Sequence, residues 1–384
     1  MIIRMNGLTA TARRLGVPGP IAFILVGVGL AAAAPQLRVV VTPELVLVVL
    51  LPGLVFEAAY RLHWEDLRRS YASIAFLAVP GVLISAAIVA AGLVLGTGLR
   101  PELAFVVGAM VSATDPAAVV ATFRKLRAPR QLIAIVDAES LLNDGTGLVV
   151  FAIAVAAVTR DIGPVEGAWL FGATIAGSAC LGALAGLAAA ILVVRAPGRV
   201  LPVALTAAVA YGSYLGAAAL GLSGILATVL AGIVLGNYGR RIGLTPATER
   251  AFDALWEPLA AALTALIFLA VGLAIGRSGA LSALGPIGWG VLAVLVARAV
   301  VVYGVIGGAI AVLGRRRAAP GLPAGWLHPL FWAGLRGGVA TAAALSLPLD
   351  FPERELLQRI TFGIVMVTLL VQGSTAGWLV RRVG

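Results

Sequence analysis

Apolar runs of about 17–28 residues, separated by short polar stretches, recur along the whole chain, and a run of that length is what a helix needs to cross a bilayer. The pattern predicts helices near 18–35, 43–60, 70–95, 101–123, 130–158, 166–194, 200–215, 217–236, 254–275, 286–313, 327–348 and 356–380. That gives about twelve transmembrane helices in an all-α polytopic membrane protein. The loop between 200–215 and 217–236 is nearly absent. No linker or soluble domain interrupts the series, so 1–384 reads as a single transmembrane domain. Residues 1–17 lack a small-residue cleavage site after a short apolar core and are not read as a signal peptide.

Composition agrees. The chain is 61% hydrophobic and 12% charged, against about 45–50% and about 25% in soluble domains. The net charge of +11 would suggest nucleic acid in a soluble protein. Here the basic residues fall in loops, with no run interleaved with aromatics, so nucleic acid is excluded as a partner and the lipid bilayer takes its place. The basic loops alternate. Arg61, Arg68 and Arg69, then Arg124, Lys125, Arg127 and Arg130, then Arg195 and Arg199, Arg240, Arg241 and Arg250, and Arg315, Arg316 and Arg317 fall on one side with Arg4, Arg13, Arg14, Arg381 and Arg382. Arg38, Arg100, Arg160, Arg277 and Arg354 fall singly on the other. The bias places both termini in the cytoplasm. Cys180 excludes an intrachain disulfide and reads as a small packing residue. His63 and His328 read as ordinary residues near membrane borders.

Against this background, charges inside the apolar runs stand out. Asp144 falls near the centre of 130–158, and Asp115, Glu139, Arg298 and Arg336 also sit within apolar segments. An ionisable group at that depth costs roughly 2.5–3.5 kcal/mol even on lenient insertion scales, so a chain keeps one for a reason. Helical spacing puts Asp137, Ser140 and Asp144 on one stripe (i, i+3, i+7) and Glu139 and Asn143 on the adjoining face (i, i+4). Two polar faces side by side must meet protein or water. Asp115 and Asp144, two acids at one depth on neighbouring helices, repel one another, and a purely structural design has no use for that.

Two segments read as broken. In Ser112-Ala-Thr-Asp-Pro116, Pro116 removes a backbone donor and pushes Asp115 out of helical geometry. In Gly334-Leu-Arg-Gly-Gly338 the glycines weaken the helix around Arg336. Breaks at membrane depth are tolerated beside a cavity or packed protein, and in secondary transporters they mark the binding site. Thr114 and Asp115 would then offer oxygens to a hard cation such as Na⁺. The two segments run in opposite directions, as inverted repeats do, and Asp115 and Arg336 would offset the partial charges of the half-helix ends. An unpaired Arg298 in 286–313 is costly; Glu139 is the first candidate partner and Asp137 the second. Glu57 sits toward the inner end of its helix and could face an inner funnel. Glu257, in Trp-Glu-Pro, reads as an inner-end residue near a helix start.

The motifs Leu54-Val-Phe-Glu-Ala-Ala59, Ser112-Ala-Thr-Asp-Pro116, Glu139-Ser-Leu-Leu-Asn-Asp-Gly145, Leu235-Gly-Asn-Tyr-Gly-Arg240, Arg298-Ala-Val-Val-Val-Tyr303 and Gly334-Leu-Arg-Gly337 resemble, in order and over nearly the whole chain, those of the NhaP/NHE-type cation:proton antiporters. The resemblance implies an inverted-repeat antiporter fold with two broken crossing helices. It implies a core bundle (including 70–158 and 286–380) moving against dimerisation helices (including 18–60 and 200–236), in a homodimer. It implies Na⁺ held at Asp144, Asp115, Thr114 and Ser140, with Glu57 nearby through water. Asn143 matches the Asn that precedes the ion-binding Asp in the electroneutral branch, and Glu139 with Arg298 looks like the family's buried ion pair. Two features depart from the pattern. The family usually carries one more helix before the first one here, so the chain reads as a shorter member or as truncated at its start. Thr264 stands where the family often has Asn and is left out of the expected site.

Together these readings imply an electroneutral Na⁺/H⁺ antiporter of the cell (inner or plasma) membrane, with a K⁺/H⁺ or broader monovalent-cation exchanger as the alternative. The expected partners are monovalent cations and protons, with no cofactor beyond the transported Na⁺ and H⁺. A channel fits a shared acid at broken helices less well than alternating access does. An enzyme is not expected: the chain has no His-Glu-x-x-His, Gly-x-Gly-Asp or Gly-x-Ser-x-Gly motif.

Overall fold

The computed structural model describes residues 19–34, 41–160, 162–198, 200–313 and 322–383, and among them no strand occurs. The helices are α1 (Gly19–Ala33), α2 (a π-helical turn Leu45–Leu50 running into Leu51–Arg61), α3 (Trp64–Thr97, kinked where Pro80 follows Val79), α4 (Pro101–Met110), α5 (Ala117–Lys125), α6 (Arg130–Arg160), α7 (Pro164–Arg195), α8 (Val200–Ala219), α9 (Gly224–Ile242) and α10 (Pro246–Arg277). They continue as α11 (Leu284–Ala299, extended by a π-helical stretch Val300–Gly307 and by Gly308–Leu313), α12 (Leu327–Trp332), α13 (Gly338–Leu345) and α14 (Arg354–Val383). Counting α4–α5 and α12–α13 as one broken segment each, the described residues form twelve segments. Among the described residues, seven helices are long and apolar enough to cross a membrane, by length and composition.

Local chemistry sets the ends. Pro101, Pro164 and Pro246 open their helices, where a missing N–H costs nothing. Ser223 caps α9 by accepting from Leu226 N–H (3.4 Å), and Thr245 caps α10 by accepting from Thr248 N–H (3.2 Å). The α8–α9 turn falls at 220–223, around Gly221 in a left-handed conformation (φ +70°), a few residues beyond the boundary predicted at 215–217. α10 begins eight residues before the predicted 254, because Glu249, Arg250 and Asp253 lower the hydropathy of its first turns. Glu257 therefore lies inside a helix and exposed, not near a helix start. The predicted start at residue 18, the segment 1–17 with Arg4, Arg13 and Arg14, and Arg38, Arg199, Arg315, Arg316 and Arg317 lie outside the described residues.

Packing is close where glycines let backbones meet. A Cβ at Gly186 would sit 2.6 Å from the Ala231 carbonyl oxygen, so α7 lies directly on α9, small residues letting the two backbones approach. α6 is central, touching α2, α3, α4, α5, α7, α9 and α13. One large apolar core runs through the molecule, and a second cluster (Phe56, Tyr60, Val193, Leu235, Phe252, Trp256) ties α2, α7, α9 and α10 together. Cys180 corrects one expectation. It is exposed on the α7–α8 face rather than packed, because hydropathy does not separate a lipid-facing position from a buried one.

Candidate functional site

The two breaks face each other. α4 ends at Met110 and α5 starts at Ala117; α12 ends at Trp332 and α13 starts at Gly338. Their extended strips bond directly, Asp115 N–H donating to the Leu335 carbonyl (2.8 Å). The N-termini of α5 and α13 converge on the Asp115 carboxylate, whose Oδ1 accepts from Ala117 N–H (3.3 Å) and whose Oδ2 accepts from Gly338 N–H (3.2 Å). An anion between two helix N-termini satisfies free donors and offsets both dipoles. The opposite ends are met by cations. Arg336 Nη1 donates to the Ala113 carbonyl (3.2 Å) just beyond α4, and Arg298 donates to the Leu330 carbonyl of α12 through Nη2 (2.6 Å) and Nε (3.2 Å). The compensation predicted for Asp115 and Arg336 is thus present, and Arg298 shares it.

α6 supplies both polar faces, split by the break. Its first face carries Asp137, Ser140 and Asp144 into a cavity of about 140 Å³ that Asp115 also lines, between α2 and α10 on one side and α5, α6 and α13 on the other. Asp144 makes no hydrogen bond or ion pair with any described residue. The stripe becomes more exposed along its length: Asp144 is 9% exposed, the Asp137 side chain 22%, and Arg124, which pairs with Asp137 at 3.0 Å, 61%. The second face carries Glu139 and Asn143 to a small polar space shared with Ser85, Ser112, Thr114, Arg298 and Arg336, about the size of one water. There Arg298 grips both Glu139 oxygens, with Nη2 to Oε2 at 3.1 Å, and Glu139, not Asp137, is its partner. Asn143 clamps the break, donating from Nδ2 to Thr114 Oγ1 (2.8 Å) and accepting at Oδ1 from Thr114 N–H (3.2 Å).

Sequence comparison bears on what this arrangement is for. The profile of the family described as "Sodium/hydrogen exchanger, transmembrane" matches residues 1–382. The chain belongs to this sodium/hydrogen exchanger family. Its relatives include the low-affinity Na⁺/H⁺ antiporter NhaS1 of Synechocystis, 36% identical over 94% of this chain and 69% of that protein. The Na⁺/H⁺ antiporter NhaP of Pseudomonas aeruginosa is 37% identical over 88% of this chain and 81% of that one. The fold is that of the sodium proton antiporter MjNhaP1 of Methanocaldococcus jannaschii, with TM-score 0.74 and 17% identity over 97% of this chain and 96% of the other. The sodium/hydrogen exchanger family is one of membrane transporters rather than enzymes.

Within this exchanger the predicted residues divide. Asp144, Asp115 and Ser140 share the larger cavity. Thr114, in the non-helical strip 111–116, and Asn143, on the second face of α6, line the smaller polar space and bond one another there. Glu57 does not line the cavity; it bonds Arg61 one turn on, and Arg61 also pairs with Asp253 of α10 at 3.3 Å. Thr264, left out by the sequence reading, does line the cavity. The signal for it was its alignment with a position where the family often has Asn, and the departure in residue type hid it. Gly337 is also unforeseen in this role: a Cβ there would fall onto the Asp115 carboxylate. Gly337→Ala is therefore expected to displace Asp115 and cut exchange in vesicles more than tenfold, since positioning errors of about 1 Å cost on the order of a hundredfold in tuned sites. Exchange at the parent rate would show that Asp115 needs no such fit.

Proposed function

We propose that the chain exchanges a monovalent cation, Na⁺ in the first instance, for a proton across the cell membrane. Asp144 takes either passenger but not both, and Asp115 and Ser140, which share its cavity, complete the Na⁺ site, with Thr114 holding the break from the smaller space behind and Glu57 near the mouth. The observation that carries this reading is an unpaired carboxylate in a cavity at the crossing of two broken helices, next to a second carboxylate already anchored by backbone N–H groups. The loaded or protonated site crosses; the bare anion does not, because moving it through a dry barrier is expensive. No cofactor takes part. The inverted-repeat relation of the two breaks explains why their like ends meet.

The cavity lies along a seam, with α2 and α10 on one wall and α6 and the breaks on the other. On this reading the core bundle (including 70–158 and 286–380) moves against helices that hold a homodimer together (including 18–60 and 200–236). The rising exposure from Asp144 to Arg124 runs toward the 126–129 turn, the side the basic loops assign to the cytoplasm with both termini. The described conformation is then inward-facing.

Asn143 stands beside Asp144 as a neutral residue committed to Thr114, so the site carries one titrating charge across per cycle and exchange is electroneutral. Proteoliposomes with a clamped membrane potential test this. The expected result is a Na⁺-driven pH change whose rate does not alter between 0 and about −100 mV, whereas moving one net charge would bias the cycle by about 2.3 kcal/mol. A rate that follows the potential would refute electroneutrality, and equal or faster exchange with K⁺ would replace Na⁺ as the substrate.

A further inference from the structure

The cavity has two unlike walls. The 111–116 break brings Asp115 and α6 brings Ser140 and Asp144; α2 and α10 bring apolar side chains, among them Leu54, Val55 and Phe268, and one hydroxyl, that of Thr264. Threonines within apolar helices commonly return the hydroxyl to the carbonyl four residues back. Thr122, Thr146 and Thr341 do so here at 3.1, 3.0 and 3.1 Å. Thr264 does not, and its hydroxyl has no hydrogen-bond partner among the described residues. Ser140, on the opposite wall, is likewise unbonded. Two free hydroxyls and two carboxylates thus line one cavity from both sides of the seam. Both residues are half-buried and line the cavity, so their oxygens are open to whatever polar species enters it.

We propose that Thr264 is a specificity-determining ligand of the transported cation, its oxygen completing from α10 the shell begun by Asp144, Asp115 and Ser140. A hard cation without its water shell gains from each added oxygen. A ligand on the far wall binds tightly only when the two walls are at the right separation for the ion's radius. The cation therefore links α10 to α6 across the seam, and the reach of Thr264 sets which ion fits. This inference rests on the cation-exchange reading.

The test compares Thr264→Ala with Thr264→Ser in the full chain, in proteoliposomes, with Li⁺, Na⁺ and K⁺ each titrated. Both variants shrink the side chain, so a packing role moves them alike; only serine keeps the oxygen. The expected result is a half-saturating Na⁺ concentration raised about tenfold in Thr264→Ala and within about twofold of the parent in Thr264→Ser, the size of one hydrogen bond to a charge. The preference among the three cations changes in the alanine variant alone. Equal behaviour of the two variants, or parental affinity and selectivity in Thr264→Ala, overturns the proposal. Should Thr264→Ala fail to fold, Thr264→Val, of parental shape, takes its place beside serine. An Asp144→Asn arm separates the two failures: if that variant exchanges normally, the exchange reading falls, whatever Thr264 does.

Discussion

Asp144→Asn is expected to reduce cation:proton exchange to the level of protein-free vesicles while leaving the protein folded and monodisperse. The amide has nearly the shape of the carboxylate, and Asp144 makes no bond to a described residue that the change could break. What is lost is the charge that a cation needs and the site that a proton takes. Asp115→Asn is a different experiment. The Asp115 oxygens accept from the first N–H groups of two half-helices, so that substitution weakens the crossing itself as well as the site. Proton flux recorded by a pH-sensitive dye, with thermal unfolding measured on the same samples, separates the two cases. Normal exchange by Asp144→Asn would remove the basis of the mechanism.

The second large effect is structural. Glu139 and Arg298 are almost completely buried, and each is the other's counter-ion. Breaking such a pair leaves a bare buried charge, at a cost of about 3–5 kcal/mol. Glu139→Leu alone is therefore expected to lower the thermal midpoint in detergent sharply and to cut the yield of monodisperse protein. Arg298→Met is expected to do the same and also to strip the Leu330 carbonyl of its donors. Combining the two removes both charges at once, and the double variant should unfold at a higher temperature than Glu139→Leu, because replacing a whole buried pair with apolar groups is often near neutral. A Glu139→Leu protein as stable as the parent would mean that the pair is not what anchors α11 to α6.

How much of this was legible beforehand follows from which rule governs each residue. Asp137, Ser140 and Asp144 share a cavity because all three sit on one uninterrupted helix, where spacing alone decides which face a side chain takes. The Glu139–Arg298 pair was legible because charge must be balanced at membrane depth and few carboxylates were available. Pro116 and Gly337 marked the breaks for backbone reasons that need no tertiary information. That Thr114 lines the smaller polar space was not legible, because periodicity stops where the helix stops, and nothing in Ser-Ala-Thr-Asp-Pro says which way a non-helical side chain turns. Thr264 was left out because it departs in type from the Asn the family often carries there; that its hydroxyl does not return to its own backbone is a fact of tertiary structure. The exposure of Cys180 has a different cause: hydropathy reports burial from water, and the lipid face and the protein core read alike. α10 starts before its apolar run because its first turns, with Glu249, Arg250 and Asp253, are helical without being apolar.

The most direct test of competition at Asp144 is an equilibrium titration of Na⁺ binding to the purified protein at a series of pH values. If cation and proton exclude one another at one carboxylate, the apparent Kd rises as pH falls, approaching tenfold per pH unit on the acid limb, with about one proton released per Na⁺ bound. A Kd that does not change with pH, with no proton released, would contradict the account.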